Sequence, residues 1–173
     1  YQSPYGLAHR TFPASIFIDL FNDSNLASII AVKGAELLQN MNFTGIPLAL
    51  GFVILTGLCN LFMTSGSSKW LILAPIFVPM FSVIGFTPAM TQIAYRIGDS
   101  ITNPIAPINY FLPIILGIMN QYKKESEPEI GMGTLISLTL PYSIALAIAF
   151  SIQLIIWMLL NLPLGPGARI FMA

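Results

Sequence analysis

"TSGSSKW", residues 64–70, separates two of the most apolar stretches of the chain. Before it runs "GIPLALGFVILTGLCNLFMT" (45–64), and after it "WLILAPIFVPMFSVIG" (70–85), both without a charged residue. A link this short forces its two arms to run antiparallel as a helical hairpin. Two geometries fit: two complete membrane spans, or a re-entrant hairpin whose tip stops partway across. The second arm favours the re-entrant form, because Pro75 and Pro79 remove backbone donors from it and its apolar run is shorter than the ~20 residues of a full span. A polar tip is then tolerable because it meets a site rather than lipid.

The medium is set by composition. Of 173 residues 55% are hydrophobic and 8% charged, against roughly 25% charged in a soluble domain. Seven basic and seven acidic residues give no net charge, and no basic run is long enough to follow a phosphate backbone, so nucleic acid is not expected as a partner. The single cysteine, Cys59, cannot form an intramolecular disulfide and reads as a small buried apolar residue. No secretory signal opens the chain, and residue 1 does not read as a natural start. His9 has no histidine partner, and neither GxSxG nor Walker-type glycine spacing occurs. Enzyme chemistry and a resident cofactor or metal are therefore not expected.

Outward from the hairpin, residues 1–16 form an atypical N-terminal segment. Residues 17–41 read as the end of a transmembrane helix followed, after the capping run "NDSN" (22–25), by a helix in the membrane interface with Leu26, Ile29, Ile30, Leu37 and Leu38 on its apolar face. The hairpin occupies 42–86, and 87–122 reads as one transmembrane helix broken at "NPIAPIN" (103–109). A polar loop follows at 123–132, then a last transmembrane helix and tail at 133–173. Unwound backbone at membrane depth must be buried in protein or line a cavity. A broken helix beside a hairpin with a polar tip is the pattern of a transporter binding site.

Charged groups inside apolar segments point the same way, since each costs at least ~2.5 kcal/mol at the bilayer centre. Arg96 and Asp99, three residues apart, share a helical face with Gln92 and Asn103. They form either a self-neutralising pair that locks the helix or a binding site where the backbone opens. Thr56, Asn60 and Thr64 make a polar stripe towards the tip, for helix–helix hydrogen bonds or for the site. Ser67 or Ser68 can cap the second arm and aim its positive end at an anion, with Lys69 adding charge. Trp70 is either a stacking surface or an interfacial belt residue.

Six stretches then carry a resemblance: "AVKGAELLQ" (31–39), "TGIPL" (44–48), "GSSKWLILAPIFVPMF" (66–81), "YRIGDSITNPIAPINYFLPIIL" (95–116), "GTLISLTLPYSIA" (133–145) and "LPLGPGA" (162–168). Over residues 17–169 the chain resembles the C-terminal half of the p-aminobenzoyl-glutamate transporter (AbgT) family. The resemblance implies an all-α membrane protein, one inverted-repeat half with a re-entrant hairpin and a broken transmembrane helix, of the ion-transporter superfamily type. It implies a multi-pass bacterial inner-membrane location, a homodimer in the full-length form and an N-terminal repeat that completes the site. The implied function is secondary active transport of p-aminobenzoyl-glutamate or related aryl amides, including sulfonamide efflux, driven by a proton or Na+ gradient. Substrate contacts carried over are Ser67, Ser68, Lys69, Trp70, Arg96, Asn103 and Pro107. Arg96 and Lys69 would neutralise carboxylates, Trp70 would stack on the aromatic ring, and Asp99 with Asn60 would serve ion coupling. Residues 1–16, with His9 and Arg10, and Asp23 depart from the family pattern. The alternative expectation is a small membrane subunit or inactive fragment without transport.

Overall fold

The computed structural model describes residues 26–63, 65–107, 111–123 and 130–172. The N-terminal segment with His9 and Asp23, the "NDSN" caps, Thr64 and the centre of the charged loop lie outside them. Among the described residues six α-helices follow in order: α1 Leu26–Asn40, α2 Gly45–Phe62, α3 Gly66–Ile84, α4 Pro88–Thr102, α5 Leu112–Tyr122 and α6 Met132–Leu159, with a 3₁₀ turn Asn103–Ile105 after α4. Among the described residues there is no strand, and α2, α3 and α6 are long and apolar enough to cross a membrane. Leu58, Phe62, Ile148 and Ile152 stand exposed on these helices, as lipid-facing side chains do.

The hairpin forms, with two corrections to its expected details. Its second arm has 19 residues rather than sixteen, because the helix runs on through Pro75 and Pro79 and starts at Gly66. Ser67, Ser68, Lys69 and Trp70 are thus the first turn of α3, not the turn between arms. The cap is Ser65, whose extended backbone leaves its hydroxyl to accept from the Ser68 amide. Ser67 and Ser68 cannot cap from inside the helix. At the other end Gly85, at φ 107°, closes α3 in the left-handed conformation that glycine adopts without strain.

Contact between helices decides how deep the tip lies. Helix α2 packs along α4 through Gly57 and Gly98: a Cβ on Gly98 would sit 2.0 Å from Thr56 Oγ1 and 2.3 Å from the Val53 carbonyl oxygen. Only small residues permit this approach of two backbones. Thr56 turns its hydroxyl back onto the Phe52 and Val53 carbonyls of its own helix, so it serves packing and does not lead towards the tip. Helix α4 begins as its Thr-Pro pair dictates, with Thr87 accepting from the Met90 amide and Pro88 in the first turn. It ends where the sequence placed the break. Beyond Ile105 the backbone is extended at Ala106, and α5 starts only at Leu112.

The 28 residues of α6, about 42 Å long, run past both halves of the broken helix. Thr139, two turns into α6, donates to the Pro104 carbonyl at the break. The tip of the α2–α3 hairpin lies against the end of α4 beside this same break, through Asn60 and Lys69.

Helix α1 packs by a different face from the apolar one read in its sequence. Its inward face is the small-residue stripe Ala31, Gly34 and Ala35, packed on α3, while Ile29 and Leu37 are 56% and 61% exposed. A Cβ on Gly34 would meet Met80 Sδ at 2.5 Å. Close backbone approach, more than bulk hydrophobicity, selected that face. The C-terminal tail clamps the α3–α4 link. Thr87 donates from its amide to Ile170 and from its hydroxyl to Arg169, and the Met172 amide donates to Gly85. Phe171 stacks on Phe86 beside the fully buried Ile170.

Gly98→Ala forces a methyl against backbone and should destabilise the protein by about 1–3 kcal/mol or more. Gly117→Ala, with nothing within 4 Å of its Cβ position, should be neutral. Thermal unfolding of both variants in detergent checks this; equal midpoints would show that the α2–α4 crossing is not tightly packed.

Candidate functional site

Three elements meet at the hairpin tip: the end of α2 with Asn60, the first turn of α3 with Lys69, and the end of α4 with Asp99. Lys69 Nζ donates to Asp99 Oδ1 at 2.6 Å and to Asn60 Oδ1 at 2.7 Å. The lysine side chain is 1% exposed and the aspartate side chain 11%. Asn60 Nδ2 lies 3.1 Å from the Asp99 carbonyl oxygen, 3.0 Å from Thr102 Oγ1 and 3.0 Å from Asn103 Oδ1. One amide therefore reads the ammonium on one side and the opening backbone on the other. Tyr95, fully buried, donates its hydroxyl to the Gly66 carbonyl, and its ring packs 4.8 Å from that of Trp70.

The physical reason for this arrangement starts with Lys69. A lysine in the first turn of a helix faces the positive end of the helix dipole, and a buried ammonium without a partner is prohibitive. Asp99 supplies the charge and Asn60 a further acceptor, while the Tyr95 ring, 5.5 Å from Nζ, adds a cation–π contact. Gly66 lets the tip backbone come close: a Cβ there would be 3.2 Å from Asp99 Oδ2 and 3.5 Å from Arg96 Nη1.

Asp99 thus pairs with Lys69, and Arg96 with no carboxylate among the described residues. Of the two readings of Arg96 and Asp99, the self-neutralising pair does not form, and the expected Lys69 ammonium open to a ligand is absent as well. Arg96 is exposed, its guanidinium carbon 5.9 Å from the Tyr95 ring centre. The face shared by Gln92, Arg96, Asp99 and Asn103 is divided. Gln92, Arg96 and Ser100 are exposed, Asp99 is buried and Asn103 is partly buried. Ser67 and Ser68 are exposed beside the tip, Trp70 is half-buried against Tyr95, and Pro107 is exposed beyond the 3₁₀ turn, apart from the hydrogen-bonded network. Tyr95, Gly66 and Ser65 carry the tip without having been singled out in the sequence. The signal for Tyr95 was its place next to Arg96, one residue round towards the buried face. Two grooves of about 290 Å³ each lie along α4 and α6, lined by apolar groups such as Ile93, Phe150 and Trp157 in one and Ile54, Leu58 and Ile105 in the other. Neither includes Arg96.

A spanning all-helical domain in which a hairpin tip is ion-paired to a helix break is a membrane domain of the kind that builds solute sites from discontinuous helices. Residues 9–172 match the AbgT putative transporter family, and the chain belongs to it. It is 41% identical over 162 residues to the p-aminobenzoyl-glutamate transport protein of Escherichia coli (strain K12), covering 94% of this chain and 31% of the relative. Its fold matches the YdaH transporter of Alcanivorax borkumensis with a TM-score of 0.82 at 44% identity, over 88% of this chain and 32% of that one. MtrF of Neisseria gonorrhoeae, from a class of antimetabolite efflux pumps, matches with a TM-score of 0.76 at 41% identity, over 90% and 30%. The chain spans about a third of the length of the relatives it matches.

Asn60→Leu should strand the ammonium with a single strong acceptor and free the break, costing about 2–4 kcal/mol. Ser65→Ala, which removes a long 3.5 Å cap bond, should cost about 0.5–1 kcal/mol. Denaturant titration of both variants in detergent tests the order; a larger loss for Ser65→Ala would mean that Asn60 does not tie the tip to the break.

Proposed function

We propose that this chain forms one wall of the substrate site of a secondary active transporter, in which Arg96 holds an anionic group of an aryl-amide substrate. The observation that carries the reading is the exposed guanidinium of Arg96 on α4, a helix packed against the apolar helices α2, α3 and α6, unpaired among the described residues. An uncompensated cation there is costly unless a ligand or another chain answers it. Around it stand the surfaces a small aromatic anion would need: the exposed hydroxyls of Ser67 and Ser68, and Trp70 held at a fixed angle by Tyr95. The similarity to a p-aminobenzoyl-glutamate transport protein supports that compound, or an aryl amide like it, as the substrate. The likeness to an antimetabolite efflux pump extends the class to aryl amides such as sulfonamides.

In this reading a bacterial inner-membrane transporter closes the site with a second repeat, and it works as a homodimer. The coupling ion, a proton or Na+, acts at Asp99 with Asn60 beside it. Trp70 offers its remaining ring surface to the substrate, while Asn103 and Pro107 shape the rim where the helix is broken.

The test is p-aminobenzoyl-glutamate transport by the full-length protein in proteoliposomes. Arg96→Ala should raise KM by about tenfold or more, the worth of a charge-assisted hydrogen bond, with elution and membrane insertion unchanged. Arg96→Lys should recover part of the loss, because the charge returns without the planar fork. An unchanged KM in Arg96→Ala would remove Arg96 from the site.

A further inference from the structure

Two cations and one carboxylate meet at the tip, and burial decides which cation the carboxylate takes. Lys69 is enclosed, on Asp99 Oδ1 and Asn60 Oδ1, while Arg96 is exposed on the same helix as Asp99, three residues before it. Helical spacing of three residues is ordinarily close enough for an Arg–Asp pair. Here both groups adjoin Gly66, at 3.5 Å and 3.2 Å from its Cβ position, yet do not pair. We infer that Lys69 is a positioning residue: its ammonium neutralises Asp99 and thereby keeps the Arg96 guanidinium available to the ligand's anionic group. The inference rests on the reading that Arg96 contacts substrate.

The chemistry follows from the geometry. Asp99 cannot stay ionised and unpartnered in a nearly closed site. If Lys69 lost its charge, the carboxylate would draw the guanidinium beside it into a two-pronged internal pair. The fork that would have met the substrate is then occupied. With Lys69 in place, this wall presents one uncompensated positive charge, matched to one carboxylate-class group. Lys69 itself meets no ligand: it is 1% exposed and two of its three donors are engaged. Deleting both buried charges restores the balance without Lys69, because the carboxylate that would capture Arg96 is gone too.

The experiment compares the wild-type full-length protein, Lys69→Met, and the double variant Lys69→Met with Asp99→Asn, at one fixed pH. Two readouts are taken: equilibrium binding of p-aminobenzoyl-glutamate, and the rate at which phenylglyoxal modifies Arg96, followed by peptide mass spectrometry. Lys69→Met should slow modification of Arg96 and weaken binding, each by about tenfold or more, and the double variant should return the modification rate to within about threefold of wild type. The double variant is read by the reactivity of Arg96 alone, because a coupling role for Asp99 would alter binding as well as transport.

If Arg96 in Lys69→Met reacts as fast as in wild type, if Lys69→Met binds as tightly as wild type, or if a folded double variant does not recover the modification rate, the inference is wrong. Should Lys69→Met not fold, the double variant decides alone: wild-type reactivity of Arg96 supports the inference, and slowed modification overturns it. The reactivity pattern without any p-aminobenzoyl-glutamate binding by wild type would instead overturn the substrate reading and leave the role of Lys69 standing.

Discussion

The ion pair between Lys69 and Asp99 is the constraint on which the arrangement of this bundle depends. Neither partner could be buried alone in a membrane domain, and together they join the first turn of α3 to the last turn of α4. Every neighbouring feature can be understood as what such a pair requires. Asn60 fills an acceptor position on the ammonium, Gly66 clears space for the carboxylate, and Tyr95 anchors the tip backbone from below. A buried pair contributes little net stability compared with apolar packing of the same volume, so its value lies in register. It sets how far the hairpin reaches.

That reach matters because the tip and the helix break each contain backbone that lipid would not tolerate. The end of α4 leaves carbonyl groups without helical partners, and Asn60 meets the one at Asp99. Thr102 returns its hydroxyl to the Gly98 carbonyl, and Thr139 reaches the Pro104 carbonyl from α6. Two irregular segments brought to one depth satisfy each other, whereas either by itself would need water. The Gly57–Gly98 crossing places α2 close enough to α4 for Asn60 to span the gap, so the packing motif and the polar network are one device seen at two levels.

The outward side of α4 is built differently. Gln92, Arg96 and Ser100 recur every fourth residue and are exposed, beside the exposed Ser67 and Ser68. A polar stripe of this kind on a helix packed among apolar spans makes sense as a surface that another wall covers, and the relatives are about three times as long as this chain. Function in this reading resides in what the ion pair leaves over: one guanidinium, held open because the other cation has taken the carboxylate.

Much of this was legible in the residues. The hairpin, the helix start at Thr87–Pro88 and the opening of the break after Thr102 follow from apolar run lengths, the paucity of charge, and the Thr, Pro and Asn positions, all of which act locally. The site was legible only as a set of polar residues in apolar surroundings. Helical spacing suggested Arg96 as the neighbour of Asp99, and Ser67 or Ser68 as the cap. The tertiary structure paired Asp99 with Lys69, thirty residues away in sequence, and capped with Ser65. Spacing along one helix measures only which groups could meet. Which of them do meet is decided by burial, because a charge that another helix encloses must be satisfied first, and a charge left at the surface can wait.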